Sequence, residues 1–258
     1  MARVEYKFLV PMEQLSMVRR MIRPHVEMDP YVATRPNREY TVRSLYLDTS
    51  NLSFYHEKLA GLRERKKLRI RGYNEYFPAA PVFLEIKKKT GMAVTKKRSI
   101  LLHENLFSLF ETGDVERWIS AIEEWKEARE NARRFLFHFH KQALRPTITV
   151  IYEREAFLFR PDHRLRITLD KNLRYQTNVT LNSVFQEAQV LYALPNRFIL
   201  EIKTNSGIPL WLQLVLSRLS LNHEALSKYV ICLLLCQDRG LNDLRTVPYL
   251  SSRMKGGD

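Results

Sequence analysis

Charged residues recur at every second position along much of this chain, and they are of the types that hold phosphate. Arg69 and Arg71 alternate with Leu68 and Ile70, while Glu85 and Lys87 alternate with Leu84 and Ile86. The same rhythm groups Arg3 with Glu5 and Lys7, Lys67 with Arg69 and Arg71, and Lys87 with Lys89. It also groups Lys96 with Arg98, Tyr152 with Arg154, Arg164 with Arg166 and Asp170, and Glu201 with Lys203. On a strand, residues two apart share a face, so each group is a row along one side of a strand. Arginine suits bidentate capture of phosphate oxygens, and lysine acts as a point charge. A carboxylate among them could hold a hard divalent ion with phosphate oxygens and water. Such a face could stabilise the charge of a phosphoryl group in transfer.

For any one strand, a charged row is ordinarily the solvent face of an antiparallel sheet. The set argues otherwise. Trp118, Ile119, Ile122 and Trp125 recur at helical spacing, and Leu212 and Leu216 mark a second apolar stripe; both need an apolar sheet face to cover. If helices take the apolar face, the charged face points the other way, and closing the sheet turns it inward. A buried row of cations then needs carboxylates or a polyanion, because unpaired buried charge is prohibitively costly.

The elements that position these rows follow from periodicity. Alternation predicts strands at Val4–Val10, Tyr40–Asp48, Lys66–Tyr73, Val82–Lys89, Val94–Leu102, Thr147–Arg154, Arg164–Asp170, Val190–Leu194 and Phe198–Lys203. Helical spacing predicts Glu13–Ile22, Ser53–Leu59, one long helix from Val115 to Gln142, then Pro209–Leu219 and Glu224–Gln237. Short connections without a βαβ rhythm favour an antiparallel sheet or barrel with helices outside. Residues 1–250 read as one domain, with 251–258 as a disordered tail.

Composition sets outer limits. The 258 residues are 45% hydrophobic, enough for a substantial core, and the net charge of +14 calls for a polyanionic partner. The longest apolar run, Val230–Cys236, falls well short of the ~20 residues that cross a bilayer. The N-terminus lacks a secretory signal, so a cytoplasmic location is expected. Cys232 and Cys236 lie one turn apart in an apolar segment and read as core thiols. His138 and His140 are two apart on the long helix and do not share a face, so they are not a metal pair. No Gly-rich phosphate loop is present, and any nucleotide must be held by side chains. The run Arg63–Lys67 reads equally as a solvated turn or a phosphate-entry funnel.

Taken in order, Arg3-x-Glu5-x-Lys7, VRSLYLDT at Val42–Thr49, KLRIR at Lys67–Arg71, FLEIK at Phe83–Lys87 and the Lys96-x-Arg98 pair form a pattern. It continues through YEREAF at Tyr152–Phe157, RITLD at Arg166–Asp170, ILEIK at Ile199–Lys203 and SKY at Ser227–Tyr229. No one motif is specific; the ordered set resembles the VTC domain, the catalytic domain of the vacuolar transporter chaperone polyphosphate polymerase, in its stand-alone bacterial form. That family sits among the triphosphate tunnel metalloenzymes, relatives of the CYTH proteins. The resemblance implies an α+β fold: an antiparallel eight-stranded β-tunnel with a charged interior and helices packed outside. It implies phosphate contacts from Lys7, Arg69, Arg71, Lys87, Lys96, Tyr152, Arg154 and Lys228, with Ser227 assisting. Lys58, Arg98, Arg166 and Lys203 join them as substrate-binding candidates. Glu201 would bind Mn²⁺ or Mg²⁺, with Glu5 and Glu85 as further carboxylate candidates. Asp170 is expected to pair with a cation of the same face. The phosphate-sensing domain and membrane segments of the eukaryotic complex have no counterpart in these residues, so the resemblance carries over neither inositol-phosphate control nor export.

Three functions fit these expectations. One is an ATP-dependent polyphosphate polymerase, whose partners are a nucleoside triphosphate and inorganic polyphosphate or pyrophosphate. Another is a metal-dependent triphosphatase or polyphosphatase, with Glu5 or Glu85 orienting water. The third is a non-catalytic polyanion-binding module. Nucleic acid is not the expected partner, because the cations lie in phase along strands while many aromatics take apolar positions. Oligomeric state is not legible.

Overall fold

The computed structural model describes residues 4–91, 93–119 and 127–238. One antiparallel sheet organises them. Its strands are β1 (Val4–Pro11), β2 (Val26–Met28), β3 (Tyr40–Asp48), β4 (Glu64–Tyr73), β5 (Pro81–Thr90) and β6 (Ala93–Leu102). The second half adds β7 (Arg145–Phe159), β8 (Asp162–Gln176), β9 (Leu191–Tyr192) and β10 (Arg197–Thr204). Eight of them pair in the order β1-β10-β8-β7-β3-β4-β5-β6, with β2 added beside β7 and β9 beside β8. Among the described residues no backbone pairing joins β1 to β6, so the sheet is not closed by hydrogen bonds. It curls nonetheless: Lys87 of β5 reaches Glu5 of β1 at 3.3 Å across the inner face.

Strand parity sorts the side chains as the alternation requires. Leu68 and Ile70, Leu84 and Ile86, and Leu45 and Leu47 point outward into a core shared with α4 (Leu106–Thr112) and α6 (Ala128–Lys141). Phe8, Val10, Leu200 and Ile202 point outward under α1 (Leu15–Ile22) and α7 (Leu210–Arg218), where Leu212 and Leu216 are buried as expected. At Gly72, on this outer side of β4, an added Cβ would lie within 2.7–2.9 Å of the Phe185 and Val184 side chains, so a larger residue there must displace them.

A third core lies on the inner face. Tyr46, Ile148, Val150, Tyr152, Leu173 and Tyr175 pack against Tyr229, Val230, Cys232 and Leu235 of α8 (Lys228–Asp238). This helix therefore plugs part of the inner face, in addition to the helices outside. Its apolar surface runs all round because it is buried on all sides.

Two helix expectations change. The long helix is split into α5 (Val115–Trp118) and α6, because buried Ile119 leaves the helical conformation and its carbonyl accepts from Arg129. Ile122 and Trp125 lie outside the described residues. The last helix starts at Lys228 rather than Glu224, because the preceding segment is pinned to β1. Glu224 N–H donates to the Lys7 carbonyl, and the Lys7 ammonium donates to the Leu226 carbonyl. The strand expected at Val190–Leu194 shrinks to β9. Two short helices complete the order, α2 (Pro30–Ala33) and α3 (Ser53–Leu59). No described helix is long and apolar enough to cross a membrane, and the expected tail at 251–258 lies outside the described residues. Cys232 is a buried thiol, and burial pushes it up.

Candidate active site

The inner face gathers almost every cation the alternation nominated. Glu85, at 1% exposure, is the centre of one cluster. Its oxygens meet Arg69 Nε at 2.7 Å, Lys96 Nζ at 2.5 Å and Arg98 Nε at 3.0 Å, with Arg71 Nε at 3.9 Å. Burial alone would raise this carboxyl, but Arg69, Arg71 and Lys96 hold it well below the usual range. Arg69 also donates to the Tyr46 hydroxyl at 3.1 Å, and Arg71 to Ser44 at 3.2 Å. Arg98 stacks on Phe83 and donates to the Tyr73 hydroxyl at 3.0 Å. Burial draws Lys96 down to about 8 despite its contact with Glu85.

A second cluster joins β1, β7, β8, β10 and α8. Arg154 grips Asp170 in a two-pronged pair, Nε–Oδ1 2.6 Å and Nη2–Oδ2 2.7 Å, while Lys228 reaches the same carboxylate at 2.5 Å. Both cations lie over the Tyr152 ring. Asp170 is thus a charge partner of cations on the same face, as expected, namely Arg154 and Lys228; Arg166 pairs with Asp29 at 3.2 Å. Glu201, also buried, meets Lys203 at 2.5 Å and Lys7 at 4.0 Å. Burial would raise it, yet Lys203, Lys7, Arg154 and Lys228 pull it well below the ordinary value.

Glu5 lies between the clusters, 3.0 Å from Lys7 and 3.3 Å from Lys87. Glu5 and Glu201 share Lys7, so two hard oxygen donors sit side by side. This suits a divalent ion that takes one or two carboxylates and completes its shell with phosphate oxygens and water. The phosphates must supply the rest, since no group of three or more acidic, His or Cys side chains stands ready among the described residues. Glu85 is placed differently, inside its cage of cations.

Sequence reasoning missed several participants. Lys67 is turned inward, donates to Ser227 Oγ at 2.7 Å, and is pushed well below the ordinary lysine value by burial and by Lys7, Lys58, Lys87 and Arg69. The alternation had placed it in the row of Arg69 and Arg71 without giving it a role at the site. Tyr46 stacks on Tyr229 at 4.7 Å. Burial would raise its phenol, but Arg69, Arg71 and Lys228 bring it below the ordinary value. Asp48 accepts from the Phe54 and Tyr55 N–H groups at the start of α3 and from the Tyr229 hydroxyl. It thereby ties together the two helices that carry Lys58 and Lys228. Lys58 is half-buried, lowered first by burial and then by Arg65, Lys7 and Lys89. The run Arg63–Lys67 divides by parity, with Lys67 inward and Lys66 outward.

Cations on this enclosed face outnumber the carboxylates Glu5, Glu85, Asp170 and Glu201, and buried Thr168 Oγ1 and Arg166 Nε have no hydrogen-bond partner. A sheet curled around such a face makes a cationic trough whose chemistry suits a polyanion. The VTC domain model matches residues 2–236, and the chain belongs to that family. Vacuolar transporter chaperone complex subunit 4 of Schizosaccharomyces pombe is 27% identical over 163 residues, which cover 56% of this chain and 22% of that protein. The chain thus spans about a fifth of that relative's length. Solved structures similar to it include a Hippeastrum protein described as having a dominant triphosphatase activity, at 12% identity and TM-score 0.48 over 90% of this chain and 94% of that one. A Bacillus halodurans protein named as a candidate adenylate cyclase shows 12% identity and TM-score 0.45 over 88% of this chain and 96% of that one. Family membership and the cationic tunnel together support a triphosphate- or polyphosphate-related function.

Proposed function

We propose that this protein is a metal-dependent polyphosphate polymerase that moves the terminal phosphoryl group of ATP onto the end of a growing inorganic chain. The observation that carries the reading is the excess of inward cations, with the Arg69 and Arg154 guanidinium groups already oriented by carboxylates. Arginine has five N–H donors. Arg69 spends some on Glu85 and Tyr46, and Arg154 spends some on Asp170, so their planes are fixed while further donors face the tunnel. Such preorganised donors cost little reorganisation when charge moves.

In the transfer, a terminal oxygen of the acceptor chain forms a bond to the γ-phosphorus. The bond from that phosphorus to the β–γ bridging oxygen breaks, and ADP leaves with the electron pair. The nucleophile is already an anion, so no side chain needs to take a proton. Arg69, Arg71 and Arg154 orient phosphate oxygens, while Lys7, Lys67, Lys87, Lys96, Lys203 and Lys228 neutralise the chain, with Ser227, Tyr152, Lys58, Arg98 and Arg166 around them. Glu201 and Glu5 would hold Mn²⁺ or Mg²⁺, which when bound would neutralise charge on the reacting phosphates. Glu85 serves as the counter-charge that keeps its cations in place.

Alanine at Arg69 or Lys87 tests this. Turnover of ATP should be lost while the circular dichroism spectrum is kept, since Glu85 and Glu5 each retain other partners. Full activity in both variants would contradict the tunnel reading.

A further inference from the structure

Strands β5 and β6 carry cations on both faces. Parity sends Lys87 and Lys96 inward, and their neighbours Lys88 and Lys97 outward with Lys66 of β4. There, together with Ile86, Thr95, Arg134 and His138, they line a groove of about 190 Å³ between the sheet and α6. This placement breaks the pattern of the rest of that face. Further along the same strands Leu68, Ile70, Leu84 and Leu101 are buried beneath helices, as a covered face requires. Here half-buried lysines take those positions and repel one another instead. No carboxylate lines the groove, and Lys66, Lys88 and Lys97 make no ion pair among the described residues. Arg134 alone is offset, donating from Nε to Glu130 at 2.7 Å.

We propose that this groove is a second, exterior binding site for condensed inorganic phosphate, across the β6 edge from the tunnel. The choice of polyphosphate rests on the tunnel reading above; the existence of an anion site does not. Ammonium groups suit a linear row of phosphates, and the lining offers no Phe, Tyr or Trp on which bases would stack. Lys96 and Lys97 are consecutive on the edge strand, so a chain leaving the inner face there meets the outer row at once.

The test uses the full chain and a Lys88→Gln/Lys97→Gln double variant, titrated with long-chain polyphosphate and with tripolyphosphate. Long-chain affinity should fall about tenfold, with a shallower salt dependence. Tripolyphosphate affinity and thermal unfolding should stay at the parental values. Unchanged long-chain affinity overturns the proposal, as does an equal loss for both ligands. A loss confined to single-stranded RNA overturns it in favour of a nucleic-acid site. If the parent chain binds no tripolyphosphate yet the double variant still loses long-chain affinity, the tunnel reading fails and this one stands.

Discussion

Replacing Glu85 with glutamine should destabilise the empty protein and strengthen its hold on phosphate. Glu85 is 1% exposed and neutralises Arg69, Lys96 and Arg98 at 2.5–3.0 Å, with Arg71 nearby. Removing one partner of a buried pair costs about 3–5 kcal/mol. The Lys96 side chain is 43% exposed and sheds part of the repulsion to water, which favours the lower end, about 3 kcal/mol. With a urea slope of about 3 kcal/mol per molar for a chain of this size, the unfolding midpoint should fall by about 1 M. Tripolyphosphate at about 100 times its dissociation constant adds about 2.7 kcal/mol and should recover most of the loss. The carboxyl lies below its ordinary value in the folded state, so its contribution is complete above about pH 4.5 and is lost as pH falls below that. The glutamine variant should therefore show a flatter acid limb. Urea unfolding followed by circular dichroism, with and without tripolyphosphate, reads all of this. An unchanged midpoint without anion would refute the charge-cage reasoning. Arg69→Ala provides the contrast, since Glu85 keeps Lys96 and Arg98, and it should cost only about 1 kcal/mol.

Burial draws the Lys96 ammonium down to about 8 in the folded protein, from an ordinary value of 10.5. The unfolded chain then binds the extra proton between those values, so this group makes stability rise with pH across that window. A bound phosphate should draw the proton back: calorimetry near pH 8.5, in buffers of different ionisation enthalpy, should show proton uptake that shrinks in Lys96→Arg. Equal uptake in both would contradict the assignment. Asp48→Asn weakens the start of α3 and the Tyr229 contact together. It should cost about 2 kcal/mol and lower the melting temperature by about 5 °C, measured by calorimetry. Gly72→Ala meets Phe185 and Val184 at under 3 Å and should cost about 1–3 kcal/mol in urea unfolding.

Parity was legible because it is local. Every charged strand row among the described residues that pairs with a buried apolar row was readable from alternation alone, and so was the burial of Leu212 and Leu216 against the sheet. The participants of β3 were not, because the strand contributes Tyr46, Ser44 and Asp48 rather than cations. Its one arginine, Arg43, points outward to Glu75 and Glu187. Nor does parity say which rows meet across the tunnel. The Lys87–Glu5 contact joins residues 82 apart in the chain, and the company kept by Glu85 depends on strand order. The apolar run Val230–Cys236 showed that a helix would be buried, but not that it would plug the inner face.

The most direct measurement is of the product. The protein incubated with ATP and Mn²⁺ or Mg²⁺, followed by phosphorus NMR, should give internal polyphosphate resonances with ADP formed in step, and neither in Arg69→Ala. Orthophosphate alone would make the tunnel a hydrolase, and ATP left intact with either metal would contradict the enzymatic account altogether.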